Sequence, residues 1–142
     1  MKLALQTVGA SVFGLLFFGV ALFVPAWTFD YWQAWVFIAV FTAASLISCG
    51  YLVVRDPAAL QRRLKAGPTA ETRPAQRIII SAIVLSVATT VVVSALDHRF
   101  GWSTVPVFVA LLGNVLVFVG LSLAQLVIVQ NGYAAATITV ED

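Results

Sequence analysis

The chain has 142 residues, 61% of them apolar and only 10% charged, with a formal net charge of +2 and a single cysteine. Soluble domains carry about 25% charged and about 45–50% apolar residues, so water is excluded as the main solvent. Nucleic acid is also a poor partner for so small an excess of positive charge, because the basic residues gather in one loop, and the lone Cys49 excludes an internal disulfide.

A helix rising about 1.5 Å per residue needs about 20 apolar residues to cross a hydrocarbon core about 30 Å thick. The first uncharged run, Leu3 to Phe29, meets that length. Lys2 and the small residues around Val24-Pro25-Ala26 resemble a secretory signal, but signal cores hold about 7–15 apolar residues, so the run reads as a retained helix near 4–26. Tyr31 to Val54 supplies a second span near 32–54.

Between 55 and 77 lies the one polar segment of any size, RDPAALQRRLKAGPTAETRPAQR. Asp56 is placed to cap a short helix, Pro57 suits its first position, and Gly67-Pro68 ends it. Leu60 and Leu64 share a face, which predicts either a helix lying at the membrane interface or, equally, a flexible positive loop that merely sets topology, with anionic lipid headgroups as partners of the Arg55–Arg77 loop.

The third run, Ile78 to Leu96, is rich in β-branched residues, yet an isolated strand would leave its backbone unpaired in lipid, so a helix is predicted over 78–96. Ala82, Ser86, Thr90 and Ser94 form a stripe every four residues on which a neighbouring helix is expected to pack, and Gly113 and Gly120 do the same in a fourth span near 106–130. These four helices make residues 1–142 one all-α transmembrane domain, with a tail at 131–142.

Seven of the eight basic residues, Lys2, Arg55, Arg62, Arg63, Lys65, Arg73 and Arg77, fall on one side of the spans and only Arg99 on the other. The positive-inside rule then predicts cytoplasmic termini, as in a multi-pass protein of the bacterial inner membrane. Trp27, Tyr31, Trp32, Trp35 and Trp102 collect at the opposite ends, as an interfacial aromatic belt would.

Residues able to do chemistry are sparse. No Asp, Glu, Lys, Arg or His falls inside the four predicted spans, which argues against a proton-coupled pump. Asn114 and Gln125, about three turns apart, face the same way and suit interhelical hydrogen bonds or a polar pocket. His98, the only histidine, reads as a solvated loop residue, and no metal site is expected around it. Asp56, Glu71, Glu141 and Asp142 are scattered, so no acid–base or nucleophile–base pair can be assigned.

Three segments carry a resemblance: LFVPAWTFDYWQAWVFIAVF, RDPAALQRRLKAGPTAETRPAQRII and VQNGYAAATITVED. Together they resemble the amino-terminal part of bacterial membrane methyltransferases related to isoprenylcysteine carboxyl methyltransferase. The family's Asn-x-Tyr-Ala-Ala-Ala segment is matched by Asn131, Tyr133, Ala134, Ala135 and Ala136. The resemblance implies methyl transfer from S-adenosylmethionine to a lipophilic acceptor entering from the bilayer. Asn131 and Tyr133 would then be candidate cofactor-binding residues, although a helix cap and an interface anchor explain them as well. The family's Gly-Pro-Tyr and Arg-His-Pro-x-Tyr elements, which form the cofactor site, do not occur here. The expectation is therefore a truncated or split relative, inactive alone, with no catalytic residue assignable. The alternative is a non-catalytic membrane scaffold that binds a partner.

Overall fold

The computed structural model describes residues 2–65 and 72–130, and all of its regular structure is helical. The elements are α1 (Lys2–Ala26), α2 (Trp32–Arg55), α3 (Pro57–Lys65), α4 (Pro74–Phe100) and α5 (Val107–Gln130). The helices α1, α2, α4 and α5 are each long and apolar enough to cross a membrane. None of α5 is buried, and Phe108, Leu116 and Leu126 stand open. An apolar surface of that extent needs lipid as its solvent, so this is a multi-pass membrane protein.

The β-branched third run is helical, as length required, but longer than its uncharged core. α4 starts at Pro74 and ends at Gly101, whose left-handed φ of 62° and N–H to Asp97 O bond of 2.8 Å close it. Charged residues end a hydrocarbon span, not a helix: the backbone keeps its internal hydrogen bonds into the headgroup layer. His98 is thus not a loop residue but lies in the last turn of α4.

α1 packs against both α4 and α2, and α5 against α2, giving the lateral order α4, α1, α2, α5. Close approach depends on small residues: Ala26, Ala34 and Ala95 are buried together with Phe18, Leu22 and Tyr31. The stripe expected to serve α4 does not. Ala82, Ser86, Thr90 and Ser94 are exposed, while the buried contact runs through Ala95 with Val91 packed beside it. Gly113 and Gly120 likewise approach nothing, since a Cβ built on either would meet no atom within 4 Å. Small residues permit close packing; which neighbour is within reach decides whether they are used.

α3 begins as its sequence dictates, with Asp56 Oδ1 accepting the Ala59 N–H at 2.9 Å and Pro57 at the first position. Its apolar face is seated on the bundle. Leu60 is 0% exposed and is packed with Leu52 and Ala59 among Leu3, Cys49, Leu64 and Ile128, so α3 closes the basic end of the bundle. A helix of nine residues gains more from that socket than from a headgroup layer, because it is too short to be stable on its own. Gly67-Pro68, Glu71, and the tail with Asn131 and Tyr133 lie outside the described residues.

Five hydroxyl groups along the spans are satisfied within their own helices. Thr7, Ser11, Thr89, Thr90 and Ser122 each donate to the carbonyl four residues earlier, at 2.8–2.9 Å.

Candidate functional site

α4 and α5 flank the α1–α2 pair, and a crevice of about 760 Å3 opens between them at the aromatic end. Its depth is apolar, with Leu22, Phe37, Val91 and Val117. Its mouth carries polar groups from the entrance of α2, the end of α4 and from α5. The volume lies within the range of about 300–1,000 Å3 common for small-molecule sites.

Tyr31, just before α2, is 7% exposed and stacks on His98 of α4, with ring centroids 4.0 Å apart and planes 10° from parallel. Its hydroxyl donates to Ser94 O at 3.3 Å. Burial raises the Tyr31 pKa above its ordinary 10.0, and the Asp97 carboxylate adds to the rise. His98 Nε2 lies 3.2 Å from Asp30 O. A carbonyl only accepts, so Nε2 carries the hydrogen in this contact. Asp97 Oδ2 accepts from Ser103 Oγ at 2.7 Å.

Two amides complete the polar lining. Asn114 donates from Nδ2 to Ala110 O at 2.9 Å, which leaves Oδ1 buried with no partner, and Gln33 Oε1 is also buried with none. An acceptor left so costs about 1–3 kcal/mol, which a donor brought by a ligand would recover.

A second cavity of about 300 Å3 lies toward the basic end between α1 and α2, with Thr7, Ser11, Cys49, Arg63 and Leu64 in its lining. Phe18 and Phe41 reach it too, and both pack on Phe37 of the larger crevice, so an aromatic cluster stands between the two spaces. Arg63 Nη1 donates to Gln125 Oε1 at 2.8 Å and ties α3 to α5.

Asn114 and Gln125 therefore do share the inward face of α5, as their spacing predicted, but they serve different ends: one lines the crevice and the other anchors α3. Thr90 and Ser94 of the expected packing stripe border the crevice instead. Gln33 and Asp97 carried no signal in the sequence, and Tyr31 only that of an aromatic belt, because their relation to His98 and Asn114 exists only across helices. Arg99 was equally silent; its guanidinium sits over Trp27 at 5.7 Å and over Phe100 at 5.2 Å. That contact braces Trp27, which ends α1 at a left-handed φ of 57° that costs a non-glycine residue about 1–2 kcal/mol.

No group of three or more metal-ligating side chains occurs among the described residues. Neither cavity sets a cation beside an anion for the amino-acid end of S-adenosylmethionine: the crevice is lined by Asp97 with no lysine or arginine among the described residues, and the smaller cavity by Arg63 with no carboxylate. No family model, curated protein or solved structure matches the chain.

Proposed function

We propose that this protein holds a lipophilic molecule by its polar end in the crevice between α4 and α5. The supporting observation is the crevice itself: an apolar cleft between two helices that face lipid, ending in polar groups of which two lack partners. In this reading both termini and the basic loop are cytoplasmic in a bacterial inner membrane, anionic headgroups meet the Arg55–Arg77 loop, and the crevice opens near the outer surface. The resemblance to the isoprenylcysteine carboxyl methyltransferase-like family agrees with a unit that presents a lipophilic methyl acceptor. Methyl transfer would then require a cofactor site supplied by residues other than those described, and the 142-residue chain alone is expected not to bind S-adenosylmethionine by calorimetry. A partner-binding scaffold is the second reading, favoured by the exposed Ala82 and Ser86 of α4, which line neither cavity.

Gly113 supplies the test. It lines the crevice, and a Cβ there meets nothing within 4 Å, so Gly113→Leu starts its side chain in open space and extends it into the cleft. A diazirine-bearing dodecyl probe in nanodiscs is expected to label peptides around Val117 and Phe37 above the lipid-facing Leu126, and Gly113→Leu to reduce that excess at least tenfold. Equal labelling of all three regions would remove the proposal.

Orientation is checked in a Cys49→Ser background with single cysteines at Lys65 and Ser103. Ser103 is preferable to Gly101, whose positive φ disfavours any side chain. A membrane-impermeant maleimide on intact cells is expected to modify position 103 and spare position 65; the reverse pattern would invert the topology.

A further inference from the structure

We infer that the polar end of the ligand is an ammonium group: the crevice is built to hold a lipophilic amine. The inference rests on the crevice reading above and adds the chemistry of the head. The mouth holds a carboxylate and two amide oxygens without partners, and although its amide nitrogens can donate as well, the only full charge in its lining is the negative one of Asp97. Gln33 Oε1 and Asn114 Oδ1 are buried acceptors without partners. Asp97 brings a full negative charge, and Ser103 donates to only one of its oxygens. The Tyr31 hydroxyl is directed to Ser94 O and the His98 Nε2 hydrogen to Asp30 O, so neither donor is left for an anionic or carbonyl head.

No lysine or arginine lines the cleft among the described residues, and the nearby Arg99 is drawn onto Trp27 and Phe100. Trp102, stacked on Phe100, lines the same mouth and offers an aromatic face of the kind that attracts organic cations. A carboxylate, two carbonyl oxygens and an indole suit a group that carries positive charge and N–H donors. They repel a carboxylate or phosphate head and satisfy an alcohol only in part, since a hydroxyl brings a single hydrogen to several acceptors. The tail would lie along the apolar depth of the crevice between α4 and α5.

The experiment uses the full chain in neutral phosphatidylcholine nanodiscs, with dodecylamine, dodecanol and laurate displacing the diazirine probe, each compared at equal bilayer mole fraction. Dodecylamine is expected to displace at a concentration at least tenfold lower than dodecanol, with laurate weaker than both. Asp97→Asn and Asn114→Leu should each reduce the amine's advantage over dodecanol about fivefold or more. Asp97→Glu, which keeps the charge, should retain most of the preference and thereby separates loss of recognition from loss of fold. Equal displacement by amine and alcohol, or stronger displacement by laurate, would overturn the ammonium assignment and leave the crevice as an amphiphile site. Displacement by none of the three would overturn both.

Discussion

Replacing Leu60 by alanine is expected to destabilise the protein by about 2–5 kcal/mol, the range for emptying a well-packed leucine site. Leu60 is 0% exposed and touches residues from α1, α2 and α5 as well as its own helix. Because lipid is as apolar as leucine, the loss comes mainly from close contacts and the cavity left behind, not from transfer out of water. α3 has few other holds: the Asp56 cap, the Arg63–Gln125 hydrogen bond and an exposed Arg62–Asp56 pair at 3.9 Å. The last contributes little, since it stands in water. Thermal unfolding in mild detergent should show a clear fall in midpoint for Leu60→Ala and almost none for Val54→Ala, whose side chain is 81% exposed. Equal midpoints for the two variants would mean that α3 does not close the bundle.

Truncating Tyr31 should cost as much or more. Tyr31→Ala is expected to lose about 3–5 kcal/mol, as for other buried aromatic residues, because the ring joins α2 to α4 through His98 and Ala95. Tyr31→Phe keeps the ring and gives up one long hydrogen bond to Ser94 O, so about 0.5–1.5 kcal/mol is expected. The pH dependence separates the two contributions. The folded protein holds the Tyr31 pKa above its unfolded value of 10.0, by burial first and by Asp97 second. The neutral phenol is therefore favoured by folding. That contribution is fully present below the unfolded value and is lost as pH rises through the higher folded one. The wild-type protein should lose stability faster than Tyr31→Phe above about pH 10, measured as the difference between their unfolding midpoints. Parallel pH profiles would show that Tyr31 is not buried in the folded protein.

The spans were legible because they depend on one local quantity, the length of uncharged chain. Val107–Gln130 of α5 and Trp32–Arg55 of α2 fall almost where the runs placed them. α4 shows the limit of that reasoning, since Asp97, His98 and Arg99 end the hydrocarbon run without ending the helix. The Asp56 cap was legible for the same local reason, as a side chain and a backbone N–H three residues apart.

Packing was not legible. The regular stripe of Ala82, Ser86, Thr90 and Ser94 and the paired glycines of α5 look like contact surfaces, yet Ala34 and Ala95 make the close approaches. Spacing identifies a face of a helix, and the neighbour is chosen by the lateral order α4, α1, α2, α5, which no single helix encodes.

The sequence by itself determined the solvent, the number of spans and the ends at which basic and aromatic residues gather, because each follows from hydrophobicity summed along one stretch of chain. Only the tertiary structure decided the candidate site. It brings Tyr31 and Gln33 of the α2 entrance to Asp97 and His98 of α4 and to Asn114 of α5, and it leaves α4 and α5 apart so that these groups border a cleft. Hydrogen-bond needs left unmet within a helix become visible as chemistry only when three helices place them in one space.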